Sequence, residues 1–184
     1  MRATSNDPFA EVRRQTVRHR ARHGCGAYPF EDGAILGVVA GAVAATRVLE
    51  LGCALGYTAL WFAHGARQAM IDTVEFDPAH VRLARENFAA FGVADRVRVH
   101  QGDFIEVLPT LSPGYDVAFF DGFSPRPDYL RTFQKLIRPG GVLISSNLHF
   151  RDAETHSYRD LLFSGDAWLT GAIADGDTAI SVRL

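Results

Sequence analysis

At 184 residues, with 47% hydrophobic and 22% charged residues, the chain has the length and composition of one soluble globular domain. A net charge of −2 excludes a global electrostatic pull toward nucleic acid. Ala34–Ala45, the longest apolar stretch, falls short of the roughly 20 residues a membrane span needs, so a buried helix is expected there.

The N-terminal segment is locally basic, with Arg13, Arg14, Arg18, His19, Arg20, Arg22 and His23, and reads as a solvated helix face. Its polar start is no secretory signal, and Cys25 and Cys53 lack metal spacing, so reduced thiols in a cytoplasmic protein are expected. His19 and His23 share a helical face without an acid between them, and no zinc site is expected.

From residue 46 strand-like and helical patterns alternate. Arg47–Leu51 is an apolar strand and Tyr57–Gly65 a helix. Met70–Phe76 is the second strand, and Pro78–Phe91 a helix with proline in its first turn and Gly92 beyond its end. Arg96–Gln101 is the third strand, followed by a short helix over Phe104–Leu111. Tyr115–Asp121 is continuously apolar and closed by an acid, as a strand buried on both faces would be. Pro127–Ile137 is helical, and Pro139-Gly140-Gly141 is expected to separate it from the strand Val142–Ser146. A helix near Ala153–Phe163 precedes strands Ala167–Ala174 and Thr178–Leu184, joined by Asp175-Gly176-Asp177 as a hairpin. The fold class is therefore α/β: a Rossmann-like, doubly wound, seven-stranded sheet, mostly parallel with a C-terminal antiparallel strand. Residues 1–184 form one domain, and 1–45 make a helical segment that covers the site.

Ligands of such sheets bind outside the carboxyl ends of the strands. The first of these ends reads Glu50-Leu51-Gly52-Cys53-Ala54-Leu55-Gly56, and its glycines allow a tight turn and close approach by a ligand. Glu50 would repel the pyrophosphate of a nicotinamide dinucleotide, and Tyr57 stands where the dinucleotide fingerprint has its third glycine. A carboxylate suits S-adenosylmethionine, which carries a sulfonium and an ammonium. Glu75 ends the next strand with two oxygens able to accept ribose hydroxyls, and Gly102-Asp103 ends the third, within reach of an adenine amino group.

Several segments resemble the class I S-adenosylmethionine-dependent methyltransferases, in particular the catechol and caffeoyl-CoA O-methyltransferase group and its bacterial relatives. They are Val48–Gly52 with Gly56–Trp61, Val74-Glu75-Phe76-Asp77, Gly102-Asp103, Tyr115–Asp121, Leu136–Val142 and the tail from Asp175-Gly176. The resemblance implies methyl transfer to a small-molecule hydroxyl by a homodimer, with Phe9, Phe150 and Phe163 available to an interface. It implies a cofactor pocket lined by Tyr28, Glu50, Gly52, Ala54, Gly56, Thr58, Glu75, Phe76, Gly102, Asp103 and Asp121.

Two departures bear on the chemistry. The group holds a divalent metal between an acid after the fourth strand and an Asp-Asn pair after the fifth. Asp121 and Asn147 match, but Ser146 replaces the second acid, so a Mg²⁺ requirement is expected to be weak or absent. Ser124 occupies the position of the group's lysine base, leaving Asp121 or His149 as the candidate base. Asp121–Pro125 also resembles a motif of wobble-uridine aminomethyl methyltransferases, which keeps an amine or tRNA acceptor open beside a non-catalytic cofactor-binding protein.

Overall fold

The computed structural model describes residues 7–184; the first six residues of the expected covering segment lie outside them. Two helices, α1 (Ala10–His23) and α2 (Gly33–Ala42), precede a regular alternation. It runs β1 (Arg47–Leu51), α3 (Tyr57–Gly65), β2 (Met70–Glu75), α4 (Pro78–Ala90), β3 (Val97–Gln101), α5 (Phe104–Val107) with a 3₁₀ turn at Leu108–Thr110, and β4 (Tyr115–Phe120). Next come α6 (Pro127–Leu136), β5 (Ile137–Ser145), α7 (Ala153–Ser164), β6 (Trp168–Ile173) and β7 (Thr178–Arg183).

The seven strands form one sheet in the order β3-β2-β1-β4-β5-β7-β6. Strands β1 to β5 pair in parallel, whereas β7 runs antiparallel to both β5 and β6. Chain order reverses direction between β1 and β4, the switch point where parallel sheets open a crevice.

Residue chemistry explains the layers. All six residues of β4 are buried, as expected for a central strand covered on both faces. One core joins α1, α2, α3 and α4 to one face of the sheet through Leu36, Leu60, Phe62, Phe88 and Phe119. A second core covers the other face with α5, α6 and α7 through Phe120, Leu130, Phe133 and Tyr158. Helix α6 turns Leu130, Phe133 and Leu136 inward and its charged Asp128, Arg131 and Lys135 outward. Asp77 caps α4 by accepting the Ala79 and His80 amides at 2.7 and 3.4 Å, and Pro78 sits where no amide partner is needed.

The structure corrects two expectations. The apolar run before β1 is helical only over Gly33–Ala42, and it is half-covered: Leu36, Gly37 and Ala40 are buried while Val38 is 68% exposed. Its covered side is a glycine seam against α3, so close that a Cβ on Gly37 would lie 2.7 Å from the Trp61 carbonyl oxygen. In addition, Pro139-Gly140-Gly141 does not separate helix from strand. β5 begins at Ile137, directly after α6, and the register with β4 shifts between the Tyr115 and Val117 pairings to absorb the extra residues.

Candidate functional site

At the carboxyl ends of β1 and β4 the Asp121 amide donates to the Leu51 carbonyl at 2.8 Å, and the Gly52 amide to Val74 of β2 at 3.0 Å. Gly52 adopts φ +100°, and a Cβ there would stand 2.5 Å from the Asp121 carbonyl oxygen. Only glycine lets the β1 loop lie so close to the end of β4. The loop, the strap Tyr28–Phe30, Thr58 and Asp121 surround a narrow cleft, with Thr16 of α1 also on its wall. Thr16 and Tyr28–Phe30 are the parts of the N-terminal segment that stand beside the loop. Tyr28 is fixed by Arg20, whose guanidinium stacks 3.6 Å from the ring centroid, and Phe30 packs on Phe119 of β4.

Glu50 is fully buried. Its Oε2 accepts the Thr73 hydroxyl at 2.6 Å, whereas Oε1 has no hydrogen-bond partner among the described residues. Burial pushes its pKa up to about 7; the Thr58 and Thr73 hydroxyls oppose this, and the charges of Asp121 and Glu75 add to it. Asp121 behaves alike: burial raises it to about 7 against the Ser146 hydroxyl, with Asp177 contributing. The buried Glu50 and the half-buried Asp121 thus both have pKa values raised to about 7 at the switch point.

Glu75 and Asp103 each hold a structural duty. Glu75 Oε2 accepts the Ala54 amide at 2.8 Å and Oε1 the Asp77 amide at 2.9 Å, so this side chain braces the loop. Asp103 accepts the Ile105 amide at 2.9 Å as the cap of α5, and only Oδ1 is engaged. Gly102 precedes it at φ +154°, and Phe76 is 71% exposed at the rim, where an adenine ring can lie on it. Gly56 caps the start of α3 at φ +92°, with Ala54 at φ 44° in the same turn.

Of Asp121, Ser146 and Asn147, Asp121 alone supplies a carboxylate. Ser146 donates its hydroxyl to Asp121 Oδ1 at 2.6 Å, filling the place where a second carboxylate would face the cation. Asn147, at φ 63°, donates its amide to the Gly122 carbonyl at 2.6 Å. One carboxylate already capped by a hydroxyl donor does not fit a Mg²⁺ site. Ser124 is turned away, donating to Asp152 at the cap of α7 at 3.0 Å. His149 is exposed and does not line the cofactor cleft. Its Nδ1 bonds Asp177 in the β6–β7 turn, and its ring stacks on Phe150, which stacks on Phe123.

Sequence reasoning missed Thr73, Asp177 and His80. Thr73 was discoverable from register, since it lies directly across from Glu50 in the parallel β1–β2 pair. His80 is only 6% exposed and places Nδ1 3.4 Å from Glu75 Oε1. That pairing raises its pKa to about 9 against the opposing effect of burial. Phe9, considered for an interface, is instead core, edge-on to Trp61 at 5.1 Å and to Phe91 at 5.2 Å.

Comparison with known proteins agrees with this geometry. A methyltransferase domain profile matches residues 49–148, from β1 to just beyond β5. Catechol O-methyltransferase of Mycobacterium tuberculosis is 38% identical over 121 residues, 64% of this chain, and the aligned part spans 55% of that enzyme's length. A putative O-methyltransferase of Mycobacterium bovis is 33% identical over 173 residues, 85% of this chain and 77% of its own. Among solved structures, the O-methyltransferase TomG from Streptomyces achromogenes, in complex with SAM, shares the fold with a TM-score of 0.80 at 23% identity, over 94% of this chain and 89% of its own. From the residues matched and the length shared, the chain belongs to the class I S-adenosylmethionine-dependent methyltransferase family.

Proposed function

We propose that this chain transfers the methyl group of S-adenosylmethionine to a hydroxyl of a small-molecule acceptor. The observation that carries this reading is the buried, unpartnered Oε1 of Glu50 beside Asp121, a pair suited to a cationic ligand and hostile to a pyrophosphate. Glu50, Thr58 and the Gly52–Gly56 backbone would hold the amino-acid end, Glu75 the ribose, and Gly102, Asp103 and Phe76 the adenine. The strap through Tyr28 would close over the methionine end. The cofactor supplies an electrophilic methyl group on a sulfonium; the protein's part is to position the acceptor and take up its proton.

Two groups are candidates for that proton, His149 at the exposed acceptor side and Asp121 in the cleft. With Nδ1 bonded to the Asp177 carboxylate, Nε2 is free to accept. Asp121, with its raised pKa, is the other group able to exchange a proton near neutrality. No step is assigned to a divalent cation, because Asp121 is the one carboxylate of the trio with Ser146 and Asn147, and Ser146 already donates a hydroxyl to it. The stacked Phe123–Phe150–His149 surface supports an aromatic or other planar acceptor. We read the chain as one cytoplasmic domain acting as a homodimer, a reading supported by exposed Leu161, Phe163 and Leu169 on the neighbouring α7 and β6. No helix among the described residues is long and apolar enough to cross a membrane.

The test is calorimetry with S-adenosylmethionine, S-adenosylhomocysteine and NAD, followed by methyl-transfer assays on phenols, amines and bulk tRNA. One equivalent of the first two, no NAD binding, and turnover on phenols without stimulation by added Mg²⁺ is the expected outcome. Tight NAD binding overturns the cofactor assignment. Strict Mg²⁺ dependence overturns the metal-free assignment, and turnover on amines or tRNA alone overturns the hydroxyl acceptor.

A further inference from the structure

Sequence spacing gave no reason to connect His19, Cys25 and His80, yet the fold brings them together. Helix α1 ends with Gly24 in the left-handed region, its amide bonded to the Arg20 carbonyl at 2.8 Å, and this turn folds the chain back on the last helical turn. Cys25 thereby comes beside His19. The first turn of α4 supplies His80, whose ring centroid lies 5.1 Å from that of His19. One ligand atom from each of the three falls within 4.8 Å of the others. The His80 Nε2 is buried without a hydrogen-bond partner.

We propose that His19, Cys25 and His80 form a binding site for a borderline divalent transition metal, Zn²⁺ in the first place, which clamps α1 and the covering strap to α4. The donor set decides the chemistry: two imidazoles and a thiolate suit Zn²⁺ and disfavour Mg²⁺ or Ca²⁺. A tetrahedral zinc with those ligands holds them about 3.3–3.7 Å apart, a separation that small side-chain rotations reach from the present one. Three protein donors leave the fourth tetrahedral position to water, and Asp77 stands beside it. Its Oδ1 is committed to capping α4, while Oδ2 lies 3.9 Å from His80 Nε2. The supporting shell is also present: His80 Nδ1 faces the Glu75 carboxylate, the arrangement that orients a metal-bound imidazole and leaves Nε2 for the metal. Glu75 in turn holds the Ala54 amide, so a metal here is two side chains away from the cofactor loop.

The site is independent of the methyl-transfer reading and is tested without turnover. Tag-free full-length chain, stripped with chelator and dialysed, is titrated with Co²⁺ and then with Zn²⁺. We expect one Co²⁺ per chain with tetrahedral visible bands and a near-ultraviolet thiolate charge-transfer band, all displaced by one equivalent of Zn²⁺. Cys25→Ser should abolish the charge-transfer band. His19→Ala, at a half-buried position that folding tolerates better than loss of His80, should weaken Zn²⁺ binding at least tenfold, with circular dichroism unchanged. No uptake, a thiolate-free octahedral spectrum, or full Zn²⁺ affinity in Cys25→Ser overturns the proposal and leaves a thiol–imidazole contact.

Discussion

Glu50 is the side chain on which the reading of the site turns, and its titration gives a direct check. Its pKa in the folded chain is raised from the ordinary carboxylate value to about 7, chiefly by burial. The stability this group contributes is therefore full below about pH 4.5 and is lost as pH rises through about 7. A cationic ligand reverses the balance by favouring the charged form. Affinity for S-adenosylmethionine should thus increase as pH rises from 6 to 8, by at most about tenfold per unit for this one group. Glu50→Gln should flatten that profile and weaken binding by about 1–3 kcal/mol, as read by calorimetry across pH. An unchanged slope would place the titrating charge elsewhere. Asp116 shows the opposite sign. Burial pushes its pKa up, but Arg138 and the Thr46 and Arg47 amides outweigh this and hold it near 2. Its stabilisation is present above about pH 4 and is lost as pH falls toward 2, amounting to about 2 kcal/mol. Chemical denaturation of Asp116→Asn should show that loss at neutral pH and a shallower decline in acid than the parent.

Among the elements, the seam between α2 and α3 is the most sharply defined contact. Gly65 has no room for a Cβ because the Gly37 carbonyl occupies that place, and Gly37 in turn meets the Trp61 carbonyl at 2.7 Å. Both obstacles are backbone atoms and cannot rotate away. Gly37→Ala, although favourable for helix propensity, should destabilise by about 1–3 kcal/mol, measured as a lowered denaturant midpoint with unchanged slope. Gly24→Ala leaves a site with open space but a left-handed backbone and would cost less, about 1 kcal/mol. The elements themselves were largely legible in the sequence, since β1 to β4 and their helices carry the right periods and end at glycines or acids. The exception at β5 has a physical reason. Pro139-Gly140-Gly141 is ordinarily a break, but here a register shift takes it into the strand, and Ile137 already pairs with Tyr115 before it. The places of Glu50, Glu75, Asp103 and Asp121 at strand ends were legible in the sequence. The remainder of the site was not, because His80 and Asp177 matter through partners distant in sequence, Cys25 and His149, and one-dimensional spacing contains no trace of such pairs.

For the whole molecule, the apolar side chains left at the β6 edge set an expectation about assembly. Leu161, Phe163 and Leu169 are exposed on adjoining elements, and β6 is the outermost strand on its side of the sheet. An open edge with apolar neighbours invites pairing unless something covers it. Light scattering at two concentrations should give twice the 20.2 kDa chain mass, and Leu169→Asp should shift the population toward monomer. A clean monomer in the parent would show that this edge is tolerated bare.

The reversal of β7 has a consequence for how such a protein changes its substrate. Because β7 runs against β5, it delivers its beginning, not its end, to the face where the parallel strands finish, and the turn carrying Asp177 arrives beside Leu148 and His149. In the proposed reaction the donor half would be built from β1, β2 and β3, and the acceptor side from the loop after β5 and the turn between β6 and β7. Exchanges at Ala174–Asp177 should then change which molecule receives the group while leaving S-adenosylmethionine affinity unchanged, as read by calorimetry. On that proposal the antiparallel strand would make the protein separable into a fixed supplier and a replaceable receiver.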